Sequence, residues 1–226
     1  MSIEEYFNDW LRVIDTNILK STLDILNREY SLKSILPDKN KVFKAFSLCR
    51  YQDLKIVFIG QDPYPQRGVA TGILFGNKKE IEEKNLSPSL KIIKNAAINF
   101  EIPHYCINFD QTLESWAKQG ILMINSALTV EEGNIGSHTM IWRPFMVSLL
   151  KNLSLYNSGI IYVLFGEQAQ ILEPYINKNC NIILKEKHPA YYARIGKSMS
   201  PNLFIKINNL TNKLYNTNIN WFKELD

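Results

Sequence analysis

The amino-acid sequence predicts an α/β protein, built as a single three-layer α/β/α domain around a central, mainly parallel four-stranded sheet. Two observations support this prediction. Four short runs of Ile, Val and Leu lack polar alternation, as is typical of strands buried on both faces of a sheet. Between these runs lie longer stretches with helical spacing of apolar residues, and strands that alternate with helices are typical of doubly wound domains.

The expected elements follow one another along the chain. The predicted strands are Lys55–Ile59, Ile121–Ile124, Ile160–Phe165 and Ile182–Leu184. The predicted helices between and after them are Ser89–Asn99, Gln111–Lys118, Met140–Tyr156, Glu167–Ile176 and Asn202–Tyr215. Before the first strand, apolar residues recur at helical spacing from Tyr6 to Leu26, Pro37 interrupts the chain, and a short helix is expected around Val42–Leu48.

The length and composition favour one globular unit. A chain of 226 residues can bury a substantial core, and residues 1–226 are expected to form a single domain because no repeat or linker divides them. No apolar stretch approaches the ~20 residues that span a bilayer, and the acidic start MSIEEYFNDW differs from a signal peptide. The net charge of +4 permits an anionic partner but suits a solubilising surface equally well.

The cysteines and histidines indicate neither a disulfide framework nor a metal site. The cysteines are odd in number and far apart, which favours a reducing, intracellular compartment: Cys49, Cys106 and Cys180. The histidines have no ligand spacing with the cysteines or with each other: His104, His138 and His188. The sequence therefore predicts no metal site.

Polar side chains follow the predicted strands at the edge where an open parallel sheet binds its ligand. The stretch IGQDPYPQRG places Gln61, Asp62 and Tyr64 directly after the first strand. Asn125 follows the second strand, and His188 follows the fourth. The sequence therefore predicts a site in which an acid, an amide and an imidazole converge from distant parts of the chain.

Taken singly, each candidate residue has an ordinary structural explanation. Asp62 suits a turn before proline, His188 suits a structural imidazole, and Asn125 suits a loop contact. Phe75 would by default belong to the core, and Ser89 would by default be the N-cap of the helix that follows. Four of these five groups are expected around one crevice, which favours a site over five separate structural roles.

Several short motifs lie in a definite order along the chain. They are GQDPYP at residues 60–65, the phenylalanine of GILFG, LSPSLK, WAKQGILMIN with SALTV, and KHP. In order and spacing, from residue 36 to residue 220, this set resembles the family 1 uracil-DNA glycosylases. GQDPYP together with QGILMIN is a specific signal, whereas a lone DP or HP carries no information.

The resemblance implies a role for each matched residue in the base pocket. Asp62 would be the water-activating aspartate, with Gln61 beside it in the motif. Tyr64 would form the wall that excludes the methyl group of thymine. Phe75 would stack on the base, and Asn125 would bond its polar edge, donating to O4 and accepting from N3–H as no cytosine edge allows.

Two further matched residues would act on the DNA backbone and on the leaving base. Ser89 would touch a phosphate near the flipped nucleotide, and His188 would hydrogen-bond the uracil oxygen that gains charge. The reaction needs such groups because cleavage of the glycosidic bond produces a cation-like sugar and an anionic base. It needs no metal and no organic cofactor. The base must also leave the stack before a pocket can read its Watson–Crick edge.

Two motif positions depart from the usual pattern of the family. Pro65 stands where GQDPYH has histidine, so we expect a slower or differently tuned enzyme. Gly76 stands where serine is usual. The glycine either loses a DNA contact or allows closer approach of the backbone.

The loop after His188 departs further, since HPAYYARIGKSMS replaces HPSPLS. Ala190 lacks the serine hydroxyl that would bind phosphate. An ungapped alignment places Tyr192 at the leucine wedge that fills the gap left by the flipped base, with Tyr191 beside it. Arg194 and Lys197 are expected to recover phosphate contacts. The structural alternative is that both tyrosines pack inward and merely close the edge of the sheet.

The sequence thus predicts a monofunctional DNA repair glycosylase that hydrolyses the N-glycosidic bond of deoxyuridine, releases uracil and leaves an abasic site. One alternative is a DNA-binding replication accessory protein that keeps the fold with lost or altered activity, although a mere binder has no use for the retained pocket residues. Another is a glycosylase with a changed base preference, which Tyr64 and Asn125 argue against. The expected partners of this cytoplasmic monomer are uracil-containing DNA, single- or double-stranded, and a protein inhibitor that mimics DNA.

Overall fold

Strands and helices alternate through most of the chain, which a computed structural model describes over residues 7–98 and 107–224. The predicted helix end at Asn99, together with His104 and Cys106, lies outside these residues. Among the described residues no helix is long and apolar enough to cross a membrane.

The main sheet confirms the predicted parallel arrangement. In chain order the strands are β1 (Ile35–Leu36), β2 (Ile56–Gly60), β3 (Ile107–Asn108), β4 (Ile121–Asn125), β5 (Val130–Glu131), β6 (Ile161–Phe165), β7 (Ile182–Glu186) and β8 (Lys223–Glu224). Four of them form one sheet in the order β4-β2-β6-β7, and each pairing in it is parallel. The pairs β1-β5 and β3-β8 are short and antiparallel.

The helices lie largely where the spacing of apolar residues predicts them. They are α1 (Thr16–Leu32), α2 (Lys44–Leu48), α3 (Pro88–Ile98), α4 (Glu114–Ala117), α5 (Thr139–Tyr156), α6 (Glu167–Gln170), α7 (Pro189–Arg194) and α8 (Asn202–Tyr215). Short 3-10 turns lie at Asn8–Arg12, Lys39–Lys41, Tyr51–Asp53, Glu83–Asn85 and Glu173–Tyr175. The helix α7 lies where the sequence predicts a loop after His188.

Two predicted helices are shorter than expected, each for a local reason. The stretch Glu167–Ile176 divides into α6 and a 3-10 turn that contains Pro174, whose ring nitrogen has no proton to donate within a helix. The predicted start at Gln111 is wrong because Leu113 adopts a left-handed backbone conformation with φ of 58°, so that α4 begins only at Glu114.

The strands β2, β4 and β6 are buried along their whole length, which explains their unbroken apolar runs. Along β2, Val57 and Ile59 pack into one hydrophobic cluster with α1 and α5, whereas Ile56 and Phe58 pack into the other with α3 and α8. Burial of each such side chain contributes about 1.5–3 kcal/mol. Helices thus cover both faces of the sheet, and the predicted three layers are confirmed.

The central strand β2 and the edge strand β4 end side by side, and their last residues pair across the sheet as Gly60 and Asn125. A Cβ atom on Gly60 would lie 2.3 Å from Leu74 Cδ1 and 2.8 Å from Asn125 Oδ1. Glycine is therefore required here, because any larger residue would push the Asn125 amide out of place. Parallel strands deliver their carboxyl ends to one edge, and the candidate site lies at that edge.

Candidate active site

A cavity of about 700 Å³ opens at the carboxyl edge of the sheet. Most of the residues that the sequence predicts for a site line this cavity: Gln61, Asp62, Tyr64, Phe75, Ser89, Asn125, His188, Ala190, Tyr191 and Arg194. The cavity therefore brings together residues from the ends of β2, β4 and β7 and from the helices α3 and α7.

Asp62 lines the cavity, and its two carboxyl oxygens have different surroundings. Its Oδ2 atom accepts a hydrogen bond from the backbone N–H of Gly136 at 3.0 Å. The buried Oδ1 atom has no hydrogen-bond partner among the residues that the structure describes. Burial raises the pKa of the Asp62 carboxyl, and the Gly136 N–H and the Gln61 side chain oppose this effect.

Asn125 lines the same cavity, and its amide oxygen is buried and unsatisfied. The residue is 8% exposed, and its Oδ1 atom has no hydrogen-bond partner within residues 7–98 and 107–224. A buried amide oxygen without a partner costs about 1–3 kcal/mol. Such a group in the wall of a cavity is expected where a polar ligand supplies the missing donor.

His188 is held as a neutral imidazole. Its Nδ1 atom accepts the backbone N–H of Ala190 at 3.2 Å and thereby caps α7. Burial lowers the pKa of His188 to about 4. A neutral ring that accepts at Nδ1 carries its proton on Nε2, so His188 offers a hydrogen-bond donor without a net charge.

Phe75 lies edge-on to the His188 ring, with the ring centroids 5.6 Å apart, and also contacts Phe165 at 5.2 Å. Its backbone has φ of 63°, a conformation that costs a residue with a Cβ about 1–2 kcal/mol. The next residue, Gly76, is buried, and a Cβ there would lie 2.6 Å from the carbonyl oxygen of Thr112. Of the two explanations for Gly76, the structure therefore supports close approach of the backbone.

The phenol of Tyr64 closes another side of the cavity. Its hydroxyl donates to the carbonyl oxygen of Phe75 at 3.1 Å and accepts from the hydroxyl of Ser87 at 2.6 Å. Burial raises the pKa of Tyr64 to about 12, so the phenol stays protonated at neutral pH. The hydroxyl is fully engaged within the protein, which leaves the ring itself as the surface that a ligand meets.

Ser89 lies in the first turn of α3 and is 4% exposed. The expectation that Ser89 caps this helix is wrong, since Ser87 precedes the helix and its Oγ accepts from the N–H of Leu90 at 3.4 Å. Serine is favoured at this position because its oxygen satisfies a free N–H of the first turn. Ser89 is thereby left to line the cavity.

The two tyrosines of α7 face different surroundings. Tyr191 lines the cavity, and its ring lies 4.4 Å from the Lys187 ammonium and 5.8 Å from the Arg194 guanidinium. Tyr192 packs against a hydrophobic cluster, and its hydroxyl donates to Glu186 Oε1 at 2.7 Å. The cavity therefore meets Tyr191, whereas the ungapped alignment favours Tyr192, and the wedge role itself stays a prediction.

Lys197, also expected near the phosphates, is an exposed residue just beyond α7. In the described part of the chain, no group of three or more His, Cys, Asp or Glu side chains could hold a metal ion.

Three further residues of the site are not predicted from the sequence. Gly136 acts through its backbone N–H, which leaves no side-chain signal in the sequence. Asn77 and Ser87 belong to the cavity wall and bond each other there; in the sequence Asn77 directly follows the motif GILFG, and Ser87 lies within LSPSLK. The site combines a carboxyl group, an amide and a neutral imidazole at the carboxyl edge of a parallel sheet, and this arrangement is typical of the active site of an α/β enzyme.

Comparison with known proteins agrees with this class. The family model of the uracil DNA glycosylase superfamily matches residues 46–211. The uracil-DNA glycosylase of Mycoplasmopsis pulmonis is 34% identical over 197 residues, which cover 87% of this chain and 86% of that protein. The uracil-DNA glycosylase of Fusobacterium nucleatum is 30% identical over 219 residues, which cover 95% of each chain. The chain belongs to the uracil-DNA glycosylase superfamily.

Solved structures share the fold. The crystal structure of mimivirus uracil-DNA glycosylase aligns with a TM-score of 0.73 at 21% identity, over 97% of this chain and 91% of that one. A substituted mimivirus UNG in complex with UGI aligns with a TM-score of 0.75 at 22% identity, over 97% and 92% of the two chains.

Proposed function

We propose that this protein hydrolyses the N-glycosidic bond of deoxyuridine in DNA, releasing uracil and leaving an abasic site. One observation carries the proposal: Asp62, Asn125 and His188 line the same cavity, each with a polar atom suited to a different part of the substrate. Membership of the family supports the same reaction.

The cavity is suited to select uracil. The Oδ1 atom of Asn125, free among the described residues, would accept N3–H, and the Nδ2 group would donate to O4. Cytosine presents an acceptor at N3 and a donor at its exocyclic amine, so the same amide meets two mismatches. Phe75 would stack on the face of the base, and the Tyr64 ring would exclude a methyl group at C5.

Two groups would stabilise the charges that develop as the bond breaks. The carboxylate of Asp62 would stabilise the cation-like sugar, and its Oδ1 atom would orient the attacking water. The Nε2–H of His188 would donate to the uracil oxygen that becomes negative. A neutral imidazole suits this role, because it binds the anionic base without having to give up its proton.

The rim of the cavity would bind the flipped strand. Ser89 at the start of α3 and the cations Arg194 and Lys197 would contact phosphates, and Ala190 would lie beside them without a hydroxyl to offer. We assign the wedge to Tyr191, because its ring lines the cavity between two cations. Single- and double-stranded DNA are both proposed substrates.

The wider assignments form part of the same proposal. Residues 1–226 would act as one domain and as a monomer, in the intracellular compartment that holds the DNA. A protein inhibitor that mimics DNA is included among the partners. The complex of a mimivirus UNG with UGI supports this last assignment.

Incubation with a uracil-containing oligonucleotide in EDTA tests the proposal. Free uracil should appear, and alkali should cleave the strand at the abasic site. Activity should persist in EDTA because no step above involves a metal ion. Matched oligonucleotides with thymine or cytosine serve as controls and should stay intact. Binding of DNA without release of uracil would overturn the proposal in favour of an accessory DNA-binding protein.

A further inference from the structure

A closed hydrogen-bond network lies within the cavity wall, centred on Asn77, which is 1% exposed. The Oδ1 atom of Asn77 accepts the backbone N–H of Ser87 at 2.8 Å. Its Nδ2 group donates to the Ser87 hydroxyl at 2.9 Å and to the Phe75 carbonyl at 3.2 Å. The Ser87 hydroxyl and the Phe75 carbonyl are also the two partners of the Tyr64 hydroxyl.

The direction of every hydrogen bond in this network is fixed. A backbone N–H can only donate, so the Asn77 amide cannot be reversed. The Ser87 oxygen accepts from the Asn77 amide and from the N–H of Leu90, so its proton must point to Tyr64. The Tyr64 oxygen accepts that proton and must give its own to the Phe75 carbonyl. A network with no alternative arrangement confines its members to one geometry.

The network holds two walls of the cavity at once. One branch runs through Ser87 to the phenol of Tyr64, and the other reaches the carbonyl of Phe75 directly. Two donors on that carbonyl stabilise the left-handed backbone of Phe75, whose φ of 63° is otherwise unfavourable. Asn77 thereby couples the positions of the Tyr64 and Phe75 rings.

We propose that Asn77 is a positioning residue for base selection, which sets the Tyr64 ring against C5 of the base by way of Ser87. This inference rests on the proposed function, because it assigns Tyr64 the exclusion of a C5 substituent. A wall that is free to shift would admit a larger group, whereas it would leave the contacts to uracil itself largely unchanged. The selectivity at C5 should therefore depend on Asn77 more than the rate on uracil does.

Asn77→Leu tests the inference, since leucine has a similar shape and makes none of the hydrogen bonds. The chain offers a matched control in Asn181, a buried amide that likewise accepts a backbone N–H, from Ile160 at 3.0 Å, and donates to a carbonyl, of Asn177 at 3.0 Å. Asn181 adjoins the amino end of β7, opposite to the cavity edge. Asn181→Leu therefore reproduces the loss of buried hydrogen bonds without the link to Tyr64.

The measurement is kcat/KM for deoxyuridine and for 5-bromodeoxyuridine in single-stranded oligonucleotides, since bromine is close to a methyl group in size. In Asn77→Leu the ratio of kcat/KM for deoxyuridine to kcat/KM for 5-bromodeoxyuridine should fall by about tenfold. This is the lower end of the discrimination that a pocket achieves against one methyl-sized group. Asn181→Leu should keep the wild-type preference at a similar loss of thermal stability. If kcat/KM falls equally on both substrates, so that the preference for uracil is unchanged, Asn77 has only a structural role.

A second pair of variants covers the case in which Asn77→Leu fails to fold. Ser87→Ala removes the hydroxyl that reaches Tyr64, and Ser87→Thr retains it and the helix cap. The preference for uracil should fall in the alanine variant and be rescued in the threonine variant. The same preference in both would overturn the inference while leaving the proposed function intact. A wild type that releases no uracil would overturn both.

Discussion

In Asp62 one carboxyl oxygen accepts the Gly136 N–H, and the other is buried without a hydrogen-bond partner among the described residues. Asp62→Asn retains the size of the side chain and an oxygen for Gly136, and removes the charge. Turnover should fall by several orders of magnitude with nearly unchanged DNA binding, because the proposed role of the carboxylate is to stabilise a charge that exists mainly in the transition state. Single-turnover cleavage and fluorescence anisotropy with the same oligonucleotide measure the two effects.

Equal losses of cleavage and of binding in Asp62→Asn would mean that Asp62 acts in binding instead. Asn134→Ala is a suitable control, since this exposed residue of the neighbouring turn bonds Glu131 and should leave both measurements unchanged.

Individual residues differed in how far the sequence could reveal them. Asp62, Asn125 and His188 were predictable because side chains that follow parallel strands share one edge of the sheet. Gly136 was not, since its contribution is a backbone N–H. Asn77 was not predictable either, because its partners Phe75 and Ser87 are distant from each other in the sequence and become neighbours only in the folded cavity wall.

The helix α7 changes the expectation for the wedge. Pro189 occupies its first turn and His188 caps it, so the segment is helical and successive side chains diverge by about 100°. Tyr191 accordingly lines the cavity while Tyr192 bonds Glu186. An ungapped alignment compares only positions along the chain, so it does not show that Tyr191 and Tyr192 lie on different sides of a helix.

Replacement of each tyrosine by alanine separates the two roles. Tyr191→Ala should lower cleavage of uracil in duplex DNA by about tenfold more than in a single strand, because only the duplex needs a ring to fill the gap in its stack. Tyr192→Ala should instead lower the melting temperature and affect both substrates alike. A duplex-selective loss confined to Tyr192→Ala would restore the assignment from the alignment.

At the scale of the whole molecule, buried neutral histidines link stability to pH. Burial lowers the pKa of His188 to about 4 and also lowers that of His138. Between the unfolded value of about 6.5 and the folded value, the unfolded chain binds more protons. The contribution of these neutral rings to the free energy of unfolding is therefore complete above about pH 6.5 and is lost as the pH falls towards 4.

Thermal unfolding at pH 7 and pH 5 measures this linkage. The melting temperature should be lower at pH 5, and His188→Gln should reduce the difference by the equivalent of about 2 kcal/mol. Comparison of the wild type with the variant cancels the contributions of the other titrating groups. One of these groups is Asp62, whose raised pKa favours the folded state as the pH falls. An unchanged difference in the variant would mean that His188 is not buried as a neutral ring.

The fold as a whole was largely predictable because both faces of the sheet are buried. Residues such as Ile56 and Val57 then form runs without polar alternation, which identify parallel strands directly. Positions that depend on backbone geometry were not predictable, as the left-handed conformation of Leu113 illustrates. Leucine gives no indication of that conformation in a sequence.

The strand order β4-β2-β6-β7 also has a consequence for biosynthesis. The central strand β2 is translated long before β6, one of its two neighbours. At ribosomal rates the delay is about 5–20 seconds, during which an apolar strand is exposed at one edge. Such an edge is prone to pair with another chain. The nascent protein should therefore depend on holding chaperones during translation, although the finished fold covers that edge completely.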